Sequence, residues 1–178
     1  RLDAVPYLYE KEGTRCRHLP KTHAYLRSLR RLMDSRYPGR LLLAEAGGTP
    51  KEIYQYFGVQ GGGAHGRECH MAFHFPLAAE LLLALADGDS GPVRRAFRSL
   101  PQPPDDCACG LFLRNHDGVN LSFLTPAERR RAVTAYAPKP GMLLHDEPRR
   151  RLAPMLGNDE RKLRLLHALL LSLPGSPV

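Results

Sequence analysis

Four times along this chain, a short apolar run ending in polar or charged residues gives way to a stretch with helical spacing. That alternation constrains the fold most. Strands separated by helices pair in parallel and need long crossover connections. The first strand reads as Leu2 to Tyr7, and its helix as His23 to Arg36, where Leu26, Leu29, Leu32 and Met33 recur at helical spacing. Arg40 to Ala46 is a second strand, a continuous apolar run of the buried parallel type. Thr49-Pro50-Lys51-Glu52 then forms a capping box with proline at the first helical position. Cys69 to Phe75 reads as the third strand, followed by helical stretches at Leu77 to Ala86 and Pro92 to Leu100. Leu111 to Asn115 is the fourth. A second capping box, Thr125-Pro126-Ala127-Glu128, opens a helix to Tyr136. A final helix runs from an Asn158 cap to Leu173, and Val178 begins a fifth strand.

Two α/β architectures fit this order: a doubly wound parallel sheet, or part of a (β/α)8 TIM barrel. A doubly wound nucleotide binder carries a glycine fingerprint after its first strand. Here Leu8-Tyr9-Glu10-Lys11-Glu12 follows instead. The Gly61 to Gly66 loop has three consecutive glycines, but no Lys-Ser/Thr follows to cradle a phosphate.

Composition narrows the function classes. A chain of 178 residues with 43% hydrophobic and 25% charged residues is neither disordered, collagenous nor a coiled coil. It has neither an apolar run of membrane length nor signal-peptide order, which points to a cytoplasmic setting. Four cysteines do not make a disulfide scaffold and point to a reducing compartment. Cys107-Ala108-Cys109 is too tight for structural zinc. Strand alternation puts His70 and His74 on one face and Cys69 on the other, so a metal cluster is not expected there. The net charge of +8 invites a nucleic-acid reading. Its arginine runs, Arg129 to Arg131 and Arg149 to Arg151, fall in or beside helices without interleaved aromatics, so they read as a solvated outer face. Both ends read as strands cut in mid-element, so a piece of a longer protein is expected.

Three acids, Asp3, Glu45 and Asp117, stand at or near the C-terminal ends of the strands. In a barrel, that rim carries the catalytic side chains. Glu45 ends a buried strand, and burial there favours its protonated form. Arg1 shares a strand face with Asp3 and would keep it ionised. An ionised aspartate and a protonatable glutamate are the pair a glycosidase needs. Asp117, after Asn115-His116, is placed to hydrogen-bond sugar hydroxyls.

Arg1-Leu2-Asp3-Ala4-Val5-Pro6, Leu43-Ala44-Glu45-Ala46 and Phe112-Leu113-Arg114-Asn115-His116-Asp117 resemble three successive signature motifs of the α-amylase superfamily of glycoside hydrolases. Longer runs at Glu68 to Leu77, Gly110 to Asp117, Arg149 to Pro154 and Ala168 to Val178 resemble its trehalose synthase branch, the maltose α-D-glucosyltransferases. The resemblance implies a partial (β/α)8 barrel holding strands four to seven and the start of strand eight, with residues 1–178 as the C-terminal half. The N-terminal half, a lid domain and a C-terminal β domain would lie elsewhere. It implies Asp3 as nucleophile, Glu45 as general acid and base, and Asp117 as stabiliser of the transition state. Arg1 would orient Asp3, and His116 would bind the glucose ring. It further implies a structural calcium ion held by the Tyr7 and Leu8 carbonyls and the Glu10 carboxylate, and no organic cofactor.

Maltose, trehalose and glucose are the implied substrate and products. A homo-oligomer and a fused or associated maltokinase are left open. The alternative within the superfamily is an α-amylase or oligo-α-glucosidase acting on α-1,4 or α-1,6 glucosides. Outside it stands a noncatalytic carbohydrate-binding or basic nucleic-acid-binding protein. The chain departs from the branch at Gly47-Gly48, where Asn-Gln is expected, and at Gly118, where Glu is expected. It has no Trp to stack on a sugar, leaving Tyr7, Phe73 and Phe112 as substitutes.

A half barrel leaves open strand edges. The 178-residue chain expressed alone is therefore expected to be inactive, and chromatography should find no trehalose after incubation with maltose.

Overall fold

The computed structural model describes residues 1–59, 64–99 and 102–178. They divide into two units: Arg1–His74 with Leu100–Gly110, and Phe75–Ser99 with Leu111–Val178. The glycine triplet at Gly61 to Gly63 and the expected helix end at Leu100 lie outside the described residues. Among the described residues, no helix is long and apolar enough to cross a membrane.

The first unit is built on a parallel ladder. Strand β1 (Leu43–Ala44) pairs with β2 (Met71–Phe73) in the register Leu43↔Met71 and Ala44↔Ala72. Strand β2 pairs with β3 (Ala108–Leu111) as Met71↔Ala108, Ala72↔Cys109 and Phe73↔Gly110. Leu2 adds a parallel bridge to Ala44 on the other side of β1. Helices α1 (Pro20–Arg36) and α2 (Pro50–Tyr54) make the crossovers. The buried face of α1 is Thr22, Leu26 and Arg30, one residue every four, rather than the expected leucine stripe; Leu32 is exposed. Glu68 is buried but paired: His23 Nδ1 lies 2.8 Å away, and Arg27 donates to it at 2.8 Å. A buried carboxylate without such partners would be strongly unfavourable.

The second unit centres on α3 (Phe75–Asp87), whose residues Pro76 to Leu83 are all buried. Against it lie α4 (Gly91–Ser99) and α5 (Pro126–Tyr136). Arg95 of α4 donates to Glu80 and Glu128, both at 2.8 Å. Arg131 of α5 holds Asp87 at 2.7 Å, and the Tyr136 hydroxyl donates to the Leu82 carbonyl at 2.7 Å. A short antiparallel hairpin, β4 (Leu143–Leu144) and β5 (Glu147–Pro148), precedes α6 (Leu152–Met155) and α7 (Glu160–Ser172). The chain ends at β6 (Ser176–Pro177), and Val178 N–H donates to the Leu111 carbonyl at 2.8 Å.

Both capping boxes form as expected, with Thr49 and Thr125 accepting from the backbone of Glu52 and Glu128. Several expectations need correction: Arg40 to Ala46 is a strand only over Leu43–Ala44, and Cys69 to Phe75 only over Met71–Phe73, with Phe75 already in α3. The first strand shrinks to Leu2, and Val5–Tyr7 is a 3-10 turn, because Pro6 has no N–H for a ladder and Ala4 turns the chain at φ 41. The fourth strand is Ala108–Leu111 rather than Leu111 to Asn115. Its partner β2 stops at Phe73, where Phe75-Pro76 opens α3, so no ladder remains beyond it. The last helix is capped by Asp159, whose carboxylate accepts from Arg161 and Lys162 N–H; Asn158 sits at φ 57 and closes the preceding turn.

Replacing Thr125 or Thr49 with Ala should each lower stability by about 1 kcal/mol in urea titration, the usual loss for an N-cap. The Arg131 guanidinium holds the Asp87 carboxyl below its ordinary range. A lowered acid contributes stability that is present above its unfolded pKa and lost as pH falls through the folded value. Arg131→Ala should therefore flatten part of the stability loss seen on acidification below about pH 4.

Candidate functional site

In the first unit, the Leu2↔Ala44 bridge sets the site. Leu2 N–H donates to the Leu43 carbonyl at 2.8 Å, and Glu45 N–H donates to the Leu2 carbonyl at 3.0 Å. Residues following a parallel pair stand side by side, so Asp3 and Glu45 are neighbours. Arg1 Nη2 donates to Asp3 Oδ1 at 2.7 Å and to Glu45 Oε2 at 2.7 Å. Ala4 N–H donates to the same Glu45 oxygen at 3.3 Å. The expected Arg1–Asp3 pair is thus one arm of a bridge across two carboxylates. Its hydrogen bond to Glu45, more than its contact with Asp3, raises the Arg1 guanidinium above its ordinary range. The Asp3 side chain is 80% exposed and the Glu45 side chain 13%. One carboxylate faces solvent and the other is shielded by protein.

The expected calcium ligands stand nearby in sequence. Tyr7 ends the 3-10 turn, and Tyr7, Leu8 and Glu10 are at or near the surface. Two carbonyls and a carboxylate are an oxygen-only set, which suits calcium, although it falls short of the usual six to eight ligands. At the Gly47-Gly48 departure, Arg17 donates to the Gly47 carbonyl. A Cβ on Gly48 (φ 151) would lie 2.9 Å from Glu52 Oε2 and 3.0 Å from Arg17 Nη2. The capping-box glutamate and this arginine fill the space a side chain would take.

In the second unit, His116 and Asp117 line a cleft of about 540 Å³. Asn115 Oδ1 accepts from Asp117 N–H at 3.1 Å, and His116 Nε2 lies 3.5 Å from Asp117 Oδ2. Phe75, Arg114, His145, Glu147, Arg149 and Arg151 share the lining. Of the three aromatics expected to replace Trp, Phe112 is buried; it packs edge-on against Phe75, which lines the cleft instead. Arg114 anchors the wall: its Nε donates to the Arg150 carbonyl at 3.0 Å and its Nη2 to the Arg149 carbonyl at 3.2 Å. Burial, and next Arg151, lower this guanidinium below its ordinary range. Arg149 and Arg151 were expected on a solvated outer face; here they border the cleft. Glu147 escaped the sequence reading, since it lies in a short hairpin with no motif around it. Burial raises its carboxyl, and Asp117 adds to the effect.

No protein-family model matches the chain. It is 48% identical over 178 residues to trehalose synthase/amylase TreS of Mycobacterium tuberculosis, covering 100% of this chain and 29% of that one. Against the protein of the same name from Mycolicibacterium smegmatis it is 49% identical, covering 100% and 30%. Against trehalose synthase of Thermus thermophilus it is 44% identical over 179 residues, covering 100% and 18%. Among solved structures, sucrose 6F-phosphate phosphorylase from Thermoanaerobacter thermosaccharolyticum superposes with a TM-score of 0.74 at 18% identity, covering 99% of this chain and 37% of that one. That likeness concerns the fold: parallel strands with helical crossovers. The chain spans less than a third of the curated trehalose synthases it matches. Along all of its 178 residues, the chain matches a segment of the trehalose synthases.

Proposed function

We propose that the whole protein carrying this segment isomerises maltose to trehalose through a covalent glucosyl-enzyme, with hydrolysis to glucose as a side reaction. The observation that carries this reading is the shared Arg1 nitrogen. Asp3 Oδ1 and Glu45 Oε2 each lie 2.7 Å from it, which bounds their separation at twice that distance. Retaining glycosidases hold their two carboxyl groups about 5–5.5 Å apart, and inverting ones hold them farther apart.

In the first step, Asp3 attacks the anomeric carbon as the glycosidic bond breaks, and Glu45 gives its proton to the departing glucose oxygen. In the second, the anomeric hydroxyl of that glucose attacks the same carbon, Glu45 takes its proton, and the bond to Asp3 breaks. Two inversions retain the α configuration. Water attacking in place of glucose yields two glucose molecules, so water exclusion sets the balance. Asp117 and His116 bind sugar hydroxyls. Arg1 serves both carboxylates. When Glu45 carries the proton, the guanidinium is left to Asp3 and keeps the nucleophile ionised.

We read the chain as strands four to seven of a (β/α)8 barrel and the start of strand eight, with residues 1–178 as its C-terminal half. The order Leu2, β1, β2, β3, each parallel to the last with no reversal, supports this reading. A calcium ion on Tyr7, Leu8 and Glu10 would brace the turn after Asp3, with its remaining ligands supplied from outside these residues. Four cysteines, all free thiols, suit a cytoplasmic setting.

The test is product analysis of the full-length protein given maltose. Trehalose should form. Glucose as the sole product would favour an α-glucosidase or amylase instead. Asp3→Asn should lower kcat by about a thousandfold or more, and retention of activity would remove Asp3 from the mechanism.

A further inference from the structure

We infer that Glu147 is a sugar-binding residue of the second unit's cleft, working beside Asp117 in a slot that exists because residue 118 has no side chain. The inference rests on the glucosyl-transfer reading above and assigns that site a further residue.

The first support is steric. A Cβ built on Gly118 would lie 2.6 Å from Glu147 Cβ and 2.6 Å from Glu147 Oε2. Real Cβ atoms do not approach so closely, so the Glu147 side chain occupies the space directly after Asp117. The second is rigidity. Glu147 follows the tight turn of the β4–β5 hairpin, where His145 (φ 48) and Asp146 (φ 64) both take positive φ, as two-residue hairpin turns of this kind require. Val119 N–H donates to the Pro148 carbonyl at 3.0 Å, and Arg149 N–H to the Met142 carbonyl at 3.0 Å. Arg114 ties down the next two carbonyls. The side chain is therefore carried on a braced hairpin.

The third is chemical. Among the described residues, the half-buried Glu147 carboxylate takes no hydrogen bond, yet it lines the cleft. Such a group has acceptor sites open to hydroxyl donors. Two carboxylates on one wall suit a neutral ligand with neighbouring hydroxyls. A structural role would have tied Glu147 to one of the arginines around it.

The full-length protein tests this with maltose as the probe. Glu147→Gln keeps the shape and removes the charge. It should raise KM for maltose by about fivefold, the loss of roughly one hydrogen bond. It should leave kcat within about twofold and thermal stability unchanged. Gly118→Ala should raise KM similarly by displacing Glu147. In a Glu147→Gly background, which removes both the carboxylate and the Cβ that the added methyl would strike, Gly118→Ala should have no further effect. An unchanged KM in Glu147→Gln, or a Gly118→Ala effect that persists without Glu147, overturns the inference. A wild-type protein with no action on maltose overturns the proposed function itself, a result separate from either variant outcome.

Discussion

The parallel register Leu2↔Ala44 is the constraint on which the first unit's chemistry depends. Parallel strands place the residues that follow each pair next to one another. Asp3 and Glu45 therefore end up side by side although they are distant in sequence, and Ala4 N–H, 41 positions from Glu45, closes the same corner. Two adjacent carboxylates repel. Arg1 offsets that repulsion by donating to both, and it can do so because it stands one residue before the bridge. A slip of one residue would turn one acid to the opposite face and leave the other without its neighbour.

Charge elsewhere in the molecule is spent inside the fold as much as on its surface. Arg27, Arg30, Arg95 and Arg131 each hold carboxylates on other elements or later turns. Glu68 and Glu80 are buried only because such partners reach them. The net charge of +8 thus says little about nucleic acid. Much of the arginine is committed to helix–helix and helix–loop bonds, and Arg114, Arg149 and Arg151 shape a cleft wall.

Much of the fold was legible because local physics decides it. Thr49-Pro50-Lys51-Glu52 and Thr125-Pro126-Ala127-Glu128 carry their own cap partners within four residues, and both form. The apolar run before Glu45 marks a strand, and Leu43–Ala44 within it pairs with Met71 and Ala72. What misled was apolarity taken as pairing. Phe112 and Leu113 are buried by packing, with no strand left beside them, and Val5 is buried on a 3-10 turn. Leu32 looked like core by spacing, yet α1 turns Thr22 and Arg30 inward instead.

By itself, then, the sequence determined the alternation of parallel strands with helices and the capped starts of two helices. These follow from residue type and from contacts a few positions apart. Only the tertiary structure decided that Arg1 bridges two carboxylates rather than serving one, and that Glu147 stands in the space left by Gly118. Both depend on which distant backbones come together, and no local pattern of side chains encodes that register.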